Sequence, residues 1–201
     1  MTRSISFATI VTLPVLLSAA EPTPAQRGKK ALEETAFIAP SWVGGVYDRL
    51  WKQWGLAERP ADFADRSMSR YGLHPAPYPN QGLPMGLRDT SYLLVKGIAV
   101  DCMLCHGGSI FGKSYVGLGN TSLDIETLFS ELNVAEGRSP KLPFTFSNVR
   151  GTTEAGGFAV YLLGYRDPDL TGRTPRVDLG LKDDLCEDVP AWWLLKKKRT
   201  M

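Results

Sequence analysis

Cysteine and histidine are scarce in this chain: 201 residues hold three Cys and two His. So few thiols exclude the multi-bridge framework of a small disulfide-rich domain. Charge of one sign is lacking too. Twenty-three basic against 21 acidic residues leave a net +2, which gives no general pull toward nucleic acid. The longest apolar run lies at the N-terminus and is too short to cross a membrane comfortably. The chain lacks the compositional bias of disorder or of collagen, because 43% of residues are hydrophobic, 22% charged and 10% aromatic. What is present suits one domain with appended arms.

Residues 1–20 read as a secretory signal. Arg3 supplies the positive start, Ile5 to Leu17 an apolar stretch, and Ser18-Ala19-Ala20 the small residues of a cleavage site. The alternative is an uncleaved anchor, for which the apolar stretch is short. Cleavage predicts a mature chain in a periplasmic or secreted, oxidising space, with no transmembrane anchor.

Residues 21–34, rich in Pro, Gln, Gly and Lys, read as a flexible arm. From Ser41 the pattern turns helical. Trp42, Val43, Val46, Leu50, Trp51 and Trp54 share a 3.6-period face, with Ser41 as N-cap and Gly55 as the stop. A tryptophan stripe of this kind is more often core than cofactor box. A second helix is predicted over Ala61 to Tyr71. Four prolines between Pro75 and Pro84 then make His74 to Gly86 a fixed-shape loop. Further helices are predicted over Gly97 to His106, Leu123 to Leu132 and Thr152 to Leu163. No strand ladder is evident, so the predicted class is mainly α. Residues 173–201 form a polar, turn-rich tail that ends in Trp192, Trp193, Leu194, Leu195 and the basic run Lys196–Arg199.

One motif carries strong chemistry. Cys102-Met103-Leu104-Cys105-His106 is C-x-x-C-H, the attachment signature of a c-type haem. Two thiols three positions apart on a helix can each add across one vinyl group of the porphyrin. His106, one step further round the turn, then points its imidazole at the iron as the proximal axial ligand. A zinc site would need four ligands, and only Cys186 and His74 remain to complete one. A thioredoxin-like pair would need a βαβ context, and a Cys102–Cys105 disulfide would close a very tight ring.

The sixth position on the iron separates electron carrier from catalyst. No Met lies between Met103 and Met201, so the candidates sit upstream: His74 and Met85 in the proline-stiffened loop, Met68 before it, or no protein ligand at all. Arg150, Arg88 and Lys113 are candidate donors to the haem propionates. Cys186 is the odd thiol, buried or available for pairing between chains. The Lys196–Arg199 run could steer an acidic redox partner.

Val100-Asp101 before the motif, Gly107-Gly108 after it and Gly117-Leu118-Gly119-Asn120 beyond resemble the first haem domain of the large bacterial dihaem cytochromes c. That group contains the dihaem cytochrome c peroxidases and the haem-containing rubber oxygenases. Asp188-Val189-Pro190-Ala191-Trp192-Trp193 is similar to the segment that leads, in such proteins, toward a second haem domain. The resemblance implies a cytochrome c-like haem domain with long Pro/Gly-rich loops over residues 35–172, holding one covalent haem c. It implies electron transfer with a redox partner protein, or a peroxidase- or oxygenase-like subunit with an open distal site. The chain departs from the pattern in having no second C-x-x-C-H, so a second haem domain or subunit would have to come from elsewhere.

Overall fold

The computed structural model describes residues 21–141, 146–180 and 186–193. The expected export signal and the basic run Lys196–Arg199 lie outside the described residues. Helix α1 (Pro24–Glu34) occupies the segment expected as a flexible arm. Its start is written in the sequence: Thr23 accepts from the Gln26 amide while the Gln26 side chain takes the Thr23 amide at 2.7 Å, and Pro24 follows the cap. Lys29 pairs with Glu33 and Lys30 with Glu34 one turn on.

The predicted helix from Ser41 splits in two. Trp42–Val43 is a short strand, β1, and Tyr47–Trp54 is a 3₁₀ helix that ends on left-handed Gly55. The stripe itself is core, since Trp42, Val46 and Leu50 are buried and Trp51 and Trp54 pack against them. Helix α2 (Phe63–Tyr71) ends at Gly72, which is left-handed at φ +66° and so close to Ser122 that a Cβ would overlap its carbonyl.

The expected helix over Gly97 to His106 is absent, and this overturns the mainly-α class. Leu87–Tyr92 (β2) and Val95–Val100 (β3) form an antiparallel hairpin, and β1 adds to β3 to give the order β1-β3-β2. Gly107–Ile110 (β4) and Lys113–Val116 (β5) make a second hairpin. Thr152–Thr153 (β6) pairs with Glu187–Asp188 (β7). With 30% of residues helical, 17% in strands and three small antiparallel sheets, the fold is mixed α/β. The short apolar run Ile98-Ala99-Val100 suits a buried strand as well as a helix, and its β-branched residues favour the strand. Gly97 settles the packing: a Cβ there would sit 1.9 Å from the Trp42 carbonyl oxygen, so only glycine lets β1 approach.

Helix α3 (Ile125–Ala135) follows the predicted pattern and is capped by Asp124, which accepts from the Thr127 amide at 3.1 Å. It packs Leu128, Phe129 and Leu132 against the 3₁₀ helix. Helix α4 (Ala155–Leu163) starts three residues later than predicted because Thr152 and Thr153 join β7.

Candidate functional site

The C-x-x-C-H segment is the link between two hairpins. β3 ends at Val100, the Asp101 amide donates to Gly86 at 3.0 Å, and β4 begins at Gly107. Asp101 shapes what lies between. One carboxylate oxygen takes the Met103 amide at 2.7 Å and the other takes the Arg88 guanidinium at 2.8 Å. The Leu104 amide then reaches Asp101 and the His106 amide reaches Cys102 at 2.9 Å, so the five residues form one helical turn. This single turn stands where a helix over Gly97 to His106 was expected.

All three thiols are free. Cys102 is exposed. Cys105 is half-buried with Sγ 3.5 Å from the Thr153 hydroxyl, and burial pushes its thiol pKa up. Cys186 is exposed rather than buried. Burial pushes the His106 imidazole down, with the nearby Pro190 backbone working the other way, so the ring is neutral at pH 7. Its Nδ1 is buried with no hydrogen-bond partner among the described residues. The indole of Trp192 lies over this ring with centroids 4.8 Å apart. Gly117 ties the two together, donating to the His106 carbonyl at 2.7 Å and accepting from the Trp192 amide at 2.8 Å.

His74 and Met85 both come to the motif, by different routes. His74 Nε2 lies 3.1 Å from Asn120 Oδ1 and 3.1 Å from the Ser122 hydroxyl. Asn120 is buried; its amide side chain donates to Gly72 and Leu104 carbonyls, and its backbone amide donates to Cys105 at 2.8 Å. His74 is therefore coupled to the back of the turn through Asn120. Met85 is buried beside Met103 and Tyr78, and its sulfur lies against Gly107, where a Cβ would be 2.7 Å away. Met68 packs instead on the main core and borders a cavity of about 210 Å³ with Pro75, Ala76 and Leu83.

Of the three candidate propionate donors, Arg88 is buried and committed. Besides Asp101 it donates to the Glu33 and Leu32 carbonyls at the end of α1, at 2.6 and 2.9 Å. Arg150 reaches the carbonyls of Ser122 and Arg70 and pairs with Asp124, beside a cleft of about 380 Å³. Lys113 is exposed at the start of β5, its ammonium 5.4 Å from the Tyr115 ring centre.

Neither of these two cavities borders Cys102, Cys105 or His106. The donor set nonetheless fits a thioether-linked haem: two free thiols and a neutral imidazole on one turn, with Trp192 the side chain that must yield. No protein-family model matches the chain, and no curated protein matches it. Among the described residues, no three His, Cys, Asp or Glu gather as a metal site.

Asp101, Asn120 and Trp192 carry the resemblance in sequence, but their roles in holding the turn and covering His106 emerge only in the fold. Asp101 carried a signal, since an Asp two residues before an amide in a turn commonly accepts from it. Asn120 sits in a Gly-rich turn where Asn is ordinary, and the closure by Trp192 is long-range and leaves no local trace.

Proposed function

We propose that this chain binds one haem c covalently through Cys102 and Cys105, with His106 as axial ligand, and transfers electrons in an extracytoplasmic space. The observation that carries the reading is the placement of C-x-x-C-H on a single turn with both thiols free. Neutral His106 is the protonation state that a metal takes, and its burial favours that state. Asp101 and Asn120 hold the backbone of the turn from two sides, so the thiols and the imidazole are presented by a fixed scaffold. When bound, the haem supplies a one-electron Fe(III)/Fe(II) couple. The residues around it would bind and orient it and limit water, and Trp192, which lies over the imidazole from the side of residues 186–193, would move aside to admit it. A redox partner protein would supply or accept the electron, in the periplasm or outside the cell.

Purified chain from a host with haem-attachment machinery should give a c-type band in the pyridine haemochrome spectrum. Absence of that band from correctly folded protein overturns the proposal. One observation favours a second reading. His74 Nε2 is engaged with Asn120 and Ser122, and Met85 is packed against Gly107, so neither is free to take the sixth position without rearrangement. An open distal site would give a peroxidase- or oxygenase-like subunit. A high-spin ferric spectrum with rapid CO binding supports that reading, and a low-spin, inert iron supports the carrier.

A further inference from the structure

The two hairpins that flank the motif end in an unusual way. Tyr92 pairs with Val95, which leaves Leu93-Leu94 as a two-residue turn; Ile110 pairs with Lys113, which leaves Phe111-Gly112. Such turns favour Asn, Asp and Gly because their backbone is left-handed. Here Leu93 has φ +53° and Phe111 φ +51°. Both residues take a conformation that costs a large side chain stability, and both do so in full contact with water: Leu93 is 86% exposed, Leu94 100%, and Phe111 is fully exposed. Conformational strain combined with solvated apolar surface at one apex points to a use outside the folded chain.

From these tips we infer that the β2–β3 apex inserts into a lipid surface and makes the protein a peripheral membrane protein. Polarity is graded along the hairpin as a bilayer boundary requires. Four apolar residues, Tyr92 to Val95, form the apex; Ser91 faces Lys96 in the next rung; and the first acid, Asp89, stands two rungs further back. The apolar part is about 7 Å deep at the usual strand rise, within the depth that interfacial elements reach. Tyr92 falls at headgroup level, where tyrosine is favoured, and Lys96 at the depth of lipid phosphates. The β4–β5 tip carries a smaller apolar point, with Phe111 in the turn and Ile110 sharing the first rung with Lys113. A protein partner is a poorer fit, since a standard interface takes about 20–30 residues a side and this apex is a narrow convex point. No helix among the described residues is long and apolar enough to cross a membrane, and insertion of an apex needs none.

The test is co-sedimentation of the full purified chain with vesicles of phosphatidylcholine containing one third phosphatidylglycerol, beside Leu93→Ser/Leu94→Ser and Phe111→Ser. Residues 1–20 are common to all three, so the difference between them reads the hairpins. Both sites are exposed, and circular dichroism checks that the fold is kept. Partitioning should fall at least tenfold in the double variant and by less in Phe111→Ser, and added salt should weaken what remains. Wild-type protein left in the supernatant overturns the inference, as does a double variant that sediments equally. A lipid-free dimer abolished by the double variant also overturns it, and assigns the apex to a second copy. The readout does not involve haem, so its failure and that of the haem proposal are separate results.

Discussion

The packed core and the motif turn handle buried polar groups in opposite ways. In the main core the buried aromatic side chains close their polar contacts: Trp42 donates to Asn133 at 2.8 Å, Tyr47 shares a 2.6 Å hydrogen bond with Ser67, and Trp54 reaches the Tyr71 hydroxyl, which donates to Glu131. Desolvation raises the Tyr47 hydroxyl to about 12, which leaves it a neutral donor at any physiological pH. Around the motif, by contrast, His106 Nδ1 is unpaired, the Tyr78 hydroxyl beside Met85 and Met103 is buried without a partner, and so is one carboxylate oxygen of Glu154 beside Thr153. Unsatisfied groups of this kind cost stability and are retained where a site needs them. The first region is built to hold its shape, and the second holds chemical capacity at the expense of stability.

Experiments can press on either side of that contrast. The largest effect is expected from Cys102→Ser/Cys105→Ser, which should abolish covalent haem in a denaturing gel stained for haem while far-UV circular dichroism stays unchanged. Loss of the fold in that variant would show that the two regions are not separable. Next comes Arg88→Ala, which leaves Asp101 buried and unpaired and frees α1. Urea unfolding should show a loss of about 3–5 kcal/mol, and thiol reactivity at Cys102 should rise as the turn loosens. Leu128→Ala creates a cavity in the core and should cost about 2–5 kcal/mol, yet leave the absorption maxima of the haem-loaded chain where they were.

The smallest effect tests the orphaned carboxylate. Burial raises the Glu154 pKa, so the folded state holds the proton more tightly than the unfolded chain. The stabilisation from that proton is complete below the ordinary glutamate range and is lost as pH rises through the folded value. Glu154→Gln should therefore flatten the fall in Tm with rising pH, and an unchanged slope would mean that another group sets it.

Parts of this design can be read directly from the residues. Leu128, Phe129 and Leu132 recur at helical spacing behind an Asp cap, and α3 is where that pattern puts it. The motif is legible because its five residues are consecutive. Thr23, Pro24 and Gln26 announce α1 as plainly, but the surrounding Lys, Gln and Gly suggest an arm. Ile98-Ala99-Val100 defeats periodicity, since so short an apolar run carries no decisive period, and what decides is the contact of Gly97 with Trp42, 55 positions away in sequence and outside any local window. The same holds for His74, whose partners Asn120 and Ser122 arrive from beyond the motif.

Trp192 closes over His106 from 86 positions further along the chain, and this has a consequence in time. A polypeptide made and, under the proposal, exported N-terminus first presents both thiols and a bare imidazole well before the indole that shields them has emerged. Cofactor loading would then have a window that opens as the motif emerges and narrows once residue 192 has followed it.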